Sequence, residues 1–196
     1  VLFRSSYVHN ANLLGASLLA RTGSIIDDGD LIEQALLSAN YSISCQRDDG
    51  SWPYGEEANT SWIDSFHTGY NILALKVINE VCGEQTIKRA IDRAYSYYLT
   101  HFFLEDGTVK YYSNNPKPFD AHAFAHAILC LTEMANHPRT PPDLVDKVVH
   151  SMIDNFWSGN GYFFWQQRRG SNFHLPYLRW VQAWALLALA SYIAKK

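Results

Sequence analysis

The sequence predicts an all-α fold, an array of α/α-hairpins with about seven helices. Three observations lead there. A polar helix head recurs four times, as Tyr7-Val8-His9-Asn10, Ser65-Phe66-His67-Thr68, Asp120-Ala121-His122-Ala123 and Tyr177-Leu178-Arg179-Trp180. Matched on His9, His67, His122 and Arg179, these heads fall 58, 55 and 57 residues apart. A turn marker keeps the same step: Asp49-Gly50, Asp106-Gly107 and Asn160-Gly161, with glycines 57 and 54 residues apart. Two unrelated features on one period define an internal repeat. Finally, helices that are apolar nearly all round alternate with helices that are apolar on one side. A helix apolar on every side needs cover on every side. The alternation therefore predicts an inner layer of helices wrapped by an outer one.

Taken in order, residues 8–22 make a first helix rich in Leu and Ala, without charge before Arg21 and stopped at Gly23. Asp30-Leu31-Ile32-Glu33 has capping-box form and opens a second helix that runs to about Cys45. Its apolar positions, Leu31, Ile32, Ala35, Leu36 and Ala39, recur at three- and four-residue steps. A long aromatic loop covers 46–64. Asp64 or Ser65 caps the third helix, which ends at Gly83. The fourth, about 84–103, buries Ile87, Ile91, Ala94, Tyr98 and Phe102 and turns Lys88, Arg89, Asp92 and Arg93 to water. A second loop, 105–119, leads to Asp120 as cap of the fifth helix, which runs to about Asn136. Thr140-Pro141-Pro142-Asp143 starts the sixth, with Thr as cap and Pro tolerated in the first turn. A third loop, 158–176, holds Tyr162, Phe163, Phe164, Trp165, Arg168 and Arg169, and its Gly-Tyr-Phe-Phe-Trp run has the composition of a short hairpin. The last helix runs from about Tyr177 to Ala194.

The chain has 196 residues, 47% of them apolar, which suits one domain with a real core. Net charge is −3, and no Lys/Arg block is present, so a nucleic-acid partner is not expected. Uncharged stretches fall short of the ~20 residues that span a bilayer, except in the last helix, whose head carries Arg179 and Gln182; no membrane partner is expected. No signal-like run opens the chain. Three cysteines, Cys45, Cys82 and Cys130, lie far apart without a Cys-x-x-Cys motif. They read as reduced, buried small hydrophobes in a cytoplasmic setting.

Gln46-Arg47-Asp48-Asp49-Gly50-Ser51-Trp52 resembles the Gln-x-x-Asp-Gly-Ser-Trp motif of the prenyltransferase and squalene-cyclase repeat. The hairpin alternation resembles the (α/α)6 toroids, which include six-hairpin glycosidases and polysaccharide lyases. Trp62-Ile63-Asp64-Ser65-Phe66-His67-Thr68-Gly69-Tyr70, Asp120-Ala121-His122 and Leu178-Arg179-Trp180-Val181-Gln182-Ala183-Trp184 are similar to segments of bacterial toroid proteins linked with exopolysaccharide synthesis. The resemblance implies a partial (α/α)6 toroid over residues 1–196 as one domain. Six hairpins at this period need about 340 residues. With three and a half hairpins and an opening Val1-Leu2-Phe3-Arg4 that lacks Met, the chain is expected to be the C-terminal portion of a longer toroid, with a missing N-terminal half or a second copy as partner.

In such an array every long loop joins an outer helix to the next inner one, so all three are expected to open on one rim. That rim gathers aromatics, acids, His and Arg, a mixture suited to sugars, whose C–H faces stack while their hydroxyls need polar partners. The expected substrate-binding residues are Trp52, Tyr54, Glu56, Trp62, Tyr112, Trp165, Arg168, Arg179 and Trp180. Asp64, His67, Asp120 and His122 are the catalytic candidates, and the acids are equally helix caps by position. Trp52, Tyr54 and Trp165 read alternatively as loop anchors. His122 and His126 stand four apart, a spacing that can ligate metal, but no Glu follows His122; no metal and no cofactor are expected. The leading expectation is a protein that binds or acts on an oligosaccharide or polysaccharide by acid–base chemistry of hydrolase, lyase or epimerase type. A non-catalytic interaction module is the alternative. An isoprenoid-handling enzyme comes third, because the acid motif and zinc ligands of those enzymes have no match.

Overall fold

A computed structural model describes residues 7–168 and 171–196, with Asn172 described by its backbone alone. Among these residues are seven α-helices: α1 (His9–Ile26), α2 (Gly29–Ser44), α3 (Ser65–Cys82), α4 (Gln85–Phe102), α5 (Ala121–Glu133), α6 (Leu144–Phe156) and α7 (Ala183–Ala194). Three short strands, β1 (Phe119–Asp120), β2 (Gln166–Arg168) and β3 (Ser171–Phe173), form one antiparallel sheet in the order β1-β2-β3. The chain divides into two compact units, residues 1–97 and 98–196. No described helix is long and apolar enough to cross a membrane.

In the first unit α1 packs on α2 and α3. Leu13, Ala16 and Ala20 of α1, Ala35 and Ala39 of α2, and Ile72, Leu75 and Ile78 of α3 are fully buried or nearly so. In the second unit α5 packs on α6 and α7, and Phe124 meets Phe156 edge-on at 5.2 Å. Of the four helices expected to be covered all round, α5 meets that expectation: its residues from Ala121 to Ile128 are all buried. α3 buries Ser65, Phe66, Thr68, Gly69, Asn71 and Ile72. α1 and α7 do not. Leu18 and Ile25 on α1 are 66% and 77% exposed, and Leu186 and Ile193 on α7 are 73% and 69% exposed.

The turn marker has a shared backbone cause. Gly50, Gly107 and Gly161 all take positive φ, at 91°, 82° and 89°. A loop bond spanning four residues recurs at each, from Arg47 N to Ser51 O, Leu104 N to Thr108 O and Ser158 N to Tyr162 O, all at 3.0 Å. At Gly50 an added Cβ would lie 2.4 Å from the carbonyl oxygen of Arg93 on α4, and at Gly107 it would lie 2.6 Å from that of Lys147 on α6. The turn thus presses against the next outer helix, and only glycine tolerates both the conformation and the approach. The Gln-x-x-Asp-Gly-Ser-Trp motif is the same device in full. Gln46 Nε2 donates to Gly50 O and to Ala90 O, both at 3.0 Å, while Asp49 Oδ1 accepts from Ser51 N and Oγ.

Helix ends depart from expectation where caps compete. Asp28, not Asp30, caps α2: its Oδ1 accepts from Asp30 N and Leu31 N. Thr140 does not cap α6; its hydroxyl donates to Met134 O at 2.6 Å, and the helix begins only at Leu144, beyond two prolines that lack N–H groups. The last helix opens as a wide π-turn over Leu178–Gln182 before turning α-helical. There Gln182 clamps the third loop, accepting from Phe163 N at 2.9 Å and donating to Phe163 O at 2.7 Å. The expected hairpin in that loop lies a few residues later, at β2-β3.

Candidate functional site

The first unit holds a polar cluster at the head of α3. Asp64 is an N-cap in extended conformation, and its Oδ1 accepts from His67 N at 2.8 Å. Its second oxygen accepts from His67 Nδ1 at 2.7 Å and from Trp62 Nε1 at 3.0 Å. Asp64 is buried, while His67 is 20% exposed. The carboxyl therefore orients the imidazole and leaves Nε2 as its other face, the logic by which an acid sets a histidine base. Tyr54 stacks on Trp62 with centroids 4.8 Å apart and planes 9° apart, and it meets the His67 ring at 4.4 Å. Tyr54, Trp62, Asp64 and His67, separated by up to thirteen residues, thus form one group with an aromatic plate and a polar tip.

Two other residues expected at this rim lie elsewhere. Trp52 is 2% exposed, and its indole donates to Ser42 O at 2.6 Å. It packs as a core anchor, the loop-anchor alternative for this residue. Glu56 is exposed but takes Tyr41 Oη at 2.6 Å and faces Cys45, outside the Asp64 group.

The second unit joins two of the three long loops through its sheet. Phe119 pairs with Gln167 and Asp120 with Gln166. Asp120 caps α5, with Oδ1 accepting from His122 N at 2.9 Å and Oδ2 from Gln166 Nε2 at 2.9 Å. It is 5% exposed. Burial pushes its pKa up to about 6, against the opposing pull of hydrogen bonds from the His122 backbone, Gln166, the Ala123 backbone and Trp165. Gln166 also accepts from Arg168 Nε at 2.6 Å, so one amide ties the acid to a cation.

Tyr111, Tyr112, Lys117, Pro118, Gln166 and Arg168 line a cavity of about 410 Å³. Arg168 lies over Phe173 at 5.0 Å and over Trp165 at 5.8 Å. Trp165 also meets Tyr177 edge-on at 5.0 Å. His122 is buried, with Trp180 at 5.5 Å and Trp184 at 5.4 Å, so it is packed among rings rather than open to a ligand. His126 lies 5.6 Å from Trp184. Arg179 is exposed and stands over Trp180 at 5.4 Å. Arg169 lies outside the described residues.

Sequence reasoning passed over Gln166, Lys117 and Pro118. Gln166 follows Trp165 in an aromatic loop, but nothing local marks it as the partner of an acid 46 residues away.

Compared by sequence with known protein families and with curated proteins, the chain matches none. Compared by structure, it is similar to cellobiose 2-epimerase from Bacillus thermoamylovorans, with a TM-score of 0.82 and 11% identity over 97% of this chain and 56% of that one. It is also similar to an unsaturated glucuronyl hydrolase specific for heparin, with a TM-score of 0.75 and 12% identity over 97% of this chain and 60% of that one. An unsaturated glucuronyl hydrolase from a Bacillus species, responsible for the degradation of glycosaminoglycan, gives a TM-score of 0.71 and 18% identity over 94% and 58%. These structures are α/α toroids, and the likeness is one of fold. The chain spans between half and two thirds of the length of these structures.

Proposed function

We propose that the protein binds and acts on oligosaccharides by acid–base chemistry of the glycosidase, lyase or epimerase kind. The observation that carries this reading is Asp120, a buried carboxyl with a pKa of about 6, tied through Gln166 to a cavity of two tyrosines and two cations. A carboxyl raised to about 6 keeps its proton into weakly acidic solution, where an ordinary aspartate has lost it, and a protonated carboxyl is the group needed to protonate a departing glycosidic or ring oxygen. Tyr111 and Tyr112 offer faces and hydroxyls to a sugar ring, and Lys117 and Arg168 suit a sugar carboxylate. In the other unit Tyr54 and Trp62 supply a stacking plate, with His67, oriented by Asp64, as a proton acceptor. The solved relatives in fold act on sugars by their names, which supports the same substrate class.

Calorimetric titration with matched neutral and uronate-bearing oligosaccharides tests the reading. It predicts binding, stronger for the acidic series and weakened by Lys117→Ala. No binding of any oligosaccharide would end it.

A second reading, as an interaction module, is favoured by the exposed apolar faces of α1 and α7. There a second copy or a further run of hairpins would be the partner. Light scattering that gives a monomer at every concentration, with no binding of an apolar dye, would count against it.

A further inference from the structure

His9, Cys45 and Glu56 come from three separate segments: the first residue of α1, the residue that ends α2, and the loop before α3. One ligating atom from each lies within 4.8 Å of the other two. The backbone builds this meeting. His9 N donates to Tyr54 O and Glu56 N to Tyr7 O, both at 3.3 Å, and Val8 pairs with Gly55 as an antiparallel bridge. A Cβ on Gly55 would lie 2.7 Å from Thr60 Oγ1 and 3.0 Å from Tyr7 O, so the approach is tight.

The imidazole supplies an independent sign of a ligand. His9 is 1% exposed, its Nδ1 lies 3.3 Å from Ser42 Oγ, and its buried Nε2 has no hydrogen-bond partner. A buried polar atom left unpaired costs about 1–3 kcal/mol. When Nδ1–H faces Ser42, Nε2 carries the lone pair that a metal ion takes. Cys45 Sγ stands 3.4 Å from Glu56 Oε1, which also accepts from Tyr41 Oη at 2.6 Å.

We propose that His9, Cys45 and Glu56 bind one zinc ion, or another borderline divalent transition metal, with a fourth position left for water or a ligand. The nitrogen, sulfur and oxygen set is of the kind zinc accepts, whereas calcium and magnesium require oxygen. Zinc bonds of about 2.0–2.3 Å at tetrahedral angles put neighbouring ligand atoms about 3.5 Å apart. The sulfur–oxygen pair already stands at 3.4 Å, so closure asks only for a shift of side chains. Burial lowers the pKa of His9, which keeps the imidazole neutral for ligation. Burial and the bond to Glu56 raise the pKa of Cys45, so the ion displaces one thiol proton into solvent as the sulfur–metal bond forms. The thiolate and the carboxylate then balance the ion's two charges.

The test is a cobalt(II) titration of chelator-treated full-length protein, followed by absorption. The expected result is one equivalent bound, with a thiolate-to-cobalt charge-transfer band in the near ultraviolet, release of about one proton and displacement by zinc. Cys45→Ser removes the band, Glu56→Gln weakens binding at least about tenfold, and Cys82→Ser changes neither. His9→Ala adds a third ligand test if circular dichroism shows that it folds; the conclusion stands on the Cys45 and Glu56 variants without it. Absence of the band, or a band that survives Cys45→Ser, overturns the proposal. Glycan binding does not enter the readout.

Discussion

Replacing Asp120 with Asn isolates the group on which the acid–base reading turns. Burial raises the Asp120 pKa from 3.8 to about 6. Across that window the folded protein holds a proton that the unfolded chain has released. Folding stability therefore falls as pH rises from about 4, and the loss is complete above about 6. A shift of about two units corresponds to about 3 kcal/mol. The amide of Asn does not titrate, so its effect on the Gln166 bond is a constant offset. Urea denaturation of both proteins between pH 4 and pH 8 should show the variant gaining on the wild type by about 2.5 kcal/mol as pH rises, with most of the change below pH 6.5. A difference that stays flat, or that shrinks with rising pH, would show that Asp120 is ionised throughout and would remove it as a proton donor.

The repeated turn predicts a graded series. Gly50→Ala and Gly107→Ala combine positive φ with a clash against a helix backbone, while Gly161→Ala meets nothing within 4 Å. Backbone strain alone costs about 1–3 kcal/mol, so thermal melts should place the first two well below the third. Trp52→Phe keeps an aromatic ring but loses the bond to Ser42 O, at a cost of about 1 kcal/mol, and should leave oligosaccharide affinity unchanged in a titration. Lys117→Ala with Arg168→Ala should weaken acidic oligosaccharides at least about tenfold, about 1.4 kcal/mol, and spare neutral ones. Equal losses for both series would refute a charge role for these two cations.

The helices and turns were legible because their causes are local. A positive-φ glycine, a helix-capping acid and a three-to-four apolar step each act within a few residues, so Gly50, Gly107, Asp64 and Asp120 announce themselves. Legibility failed where two local solutions competed, as between Asp28 and Asp30, or where consecutive prolines delayed α6. It failed again where tertiary packing decided. Trp52 looks like a sugar platform in sequence, yet Ser42 O and the surrounding core claim it. Gln166 and the His9–Cys45–Glu56 group depend on segments tens of residues apart, and no periodicity reports such a meeting. The outer faces of α1 and α7 are apolar by sequence, but whether a neighbour covers them is not written in their own residues.

Turnover of a panel of neutral and uronate-bearing oligosaccharides, read by mass spectrometry of the products, tests the central claim most directly. A cleaved, eliminated or epimerised product is expected with wild type, and none with Asp120→Asn despite retained fold and binding. A panel left unchanged by the wild type, or a product formed equally well by the variant, would contradict it.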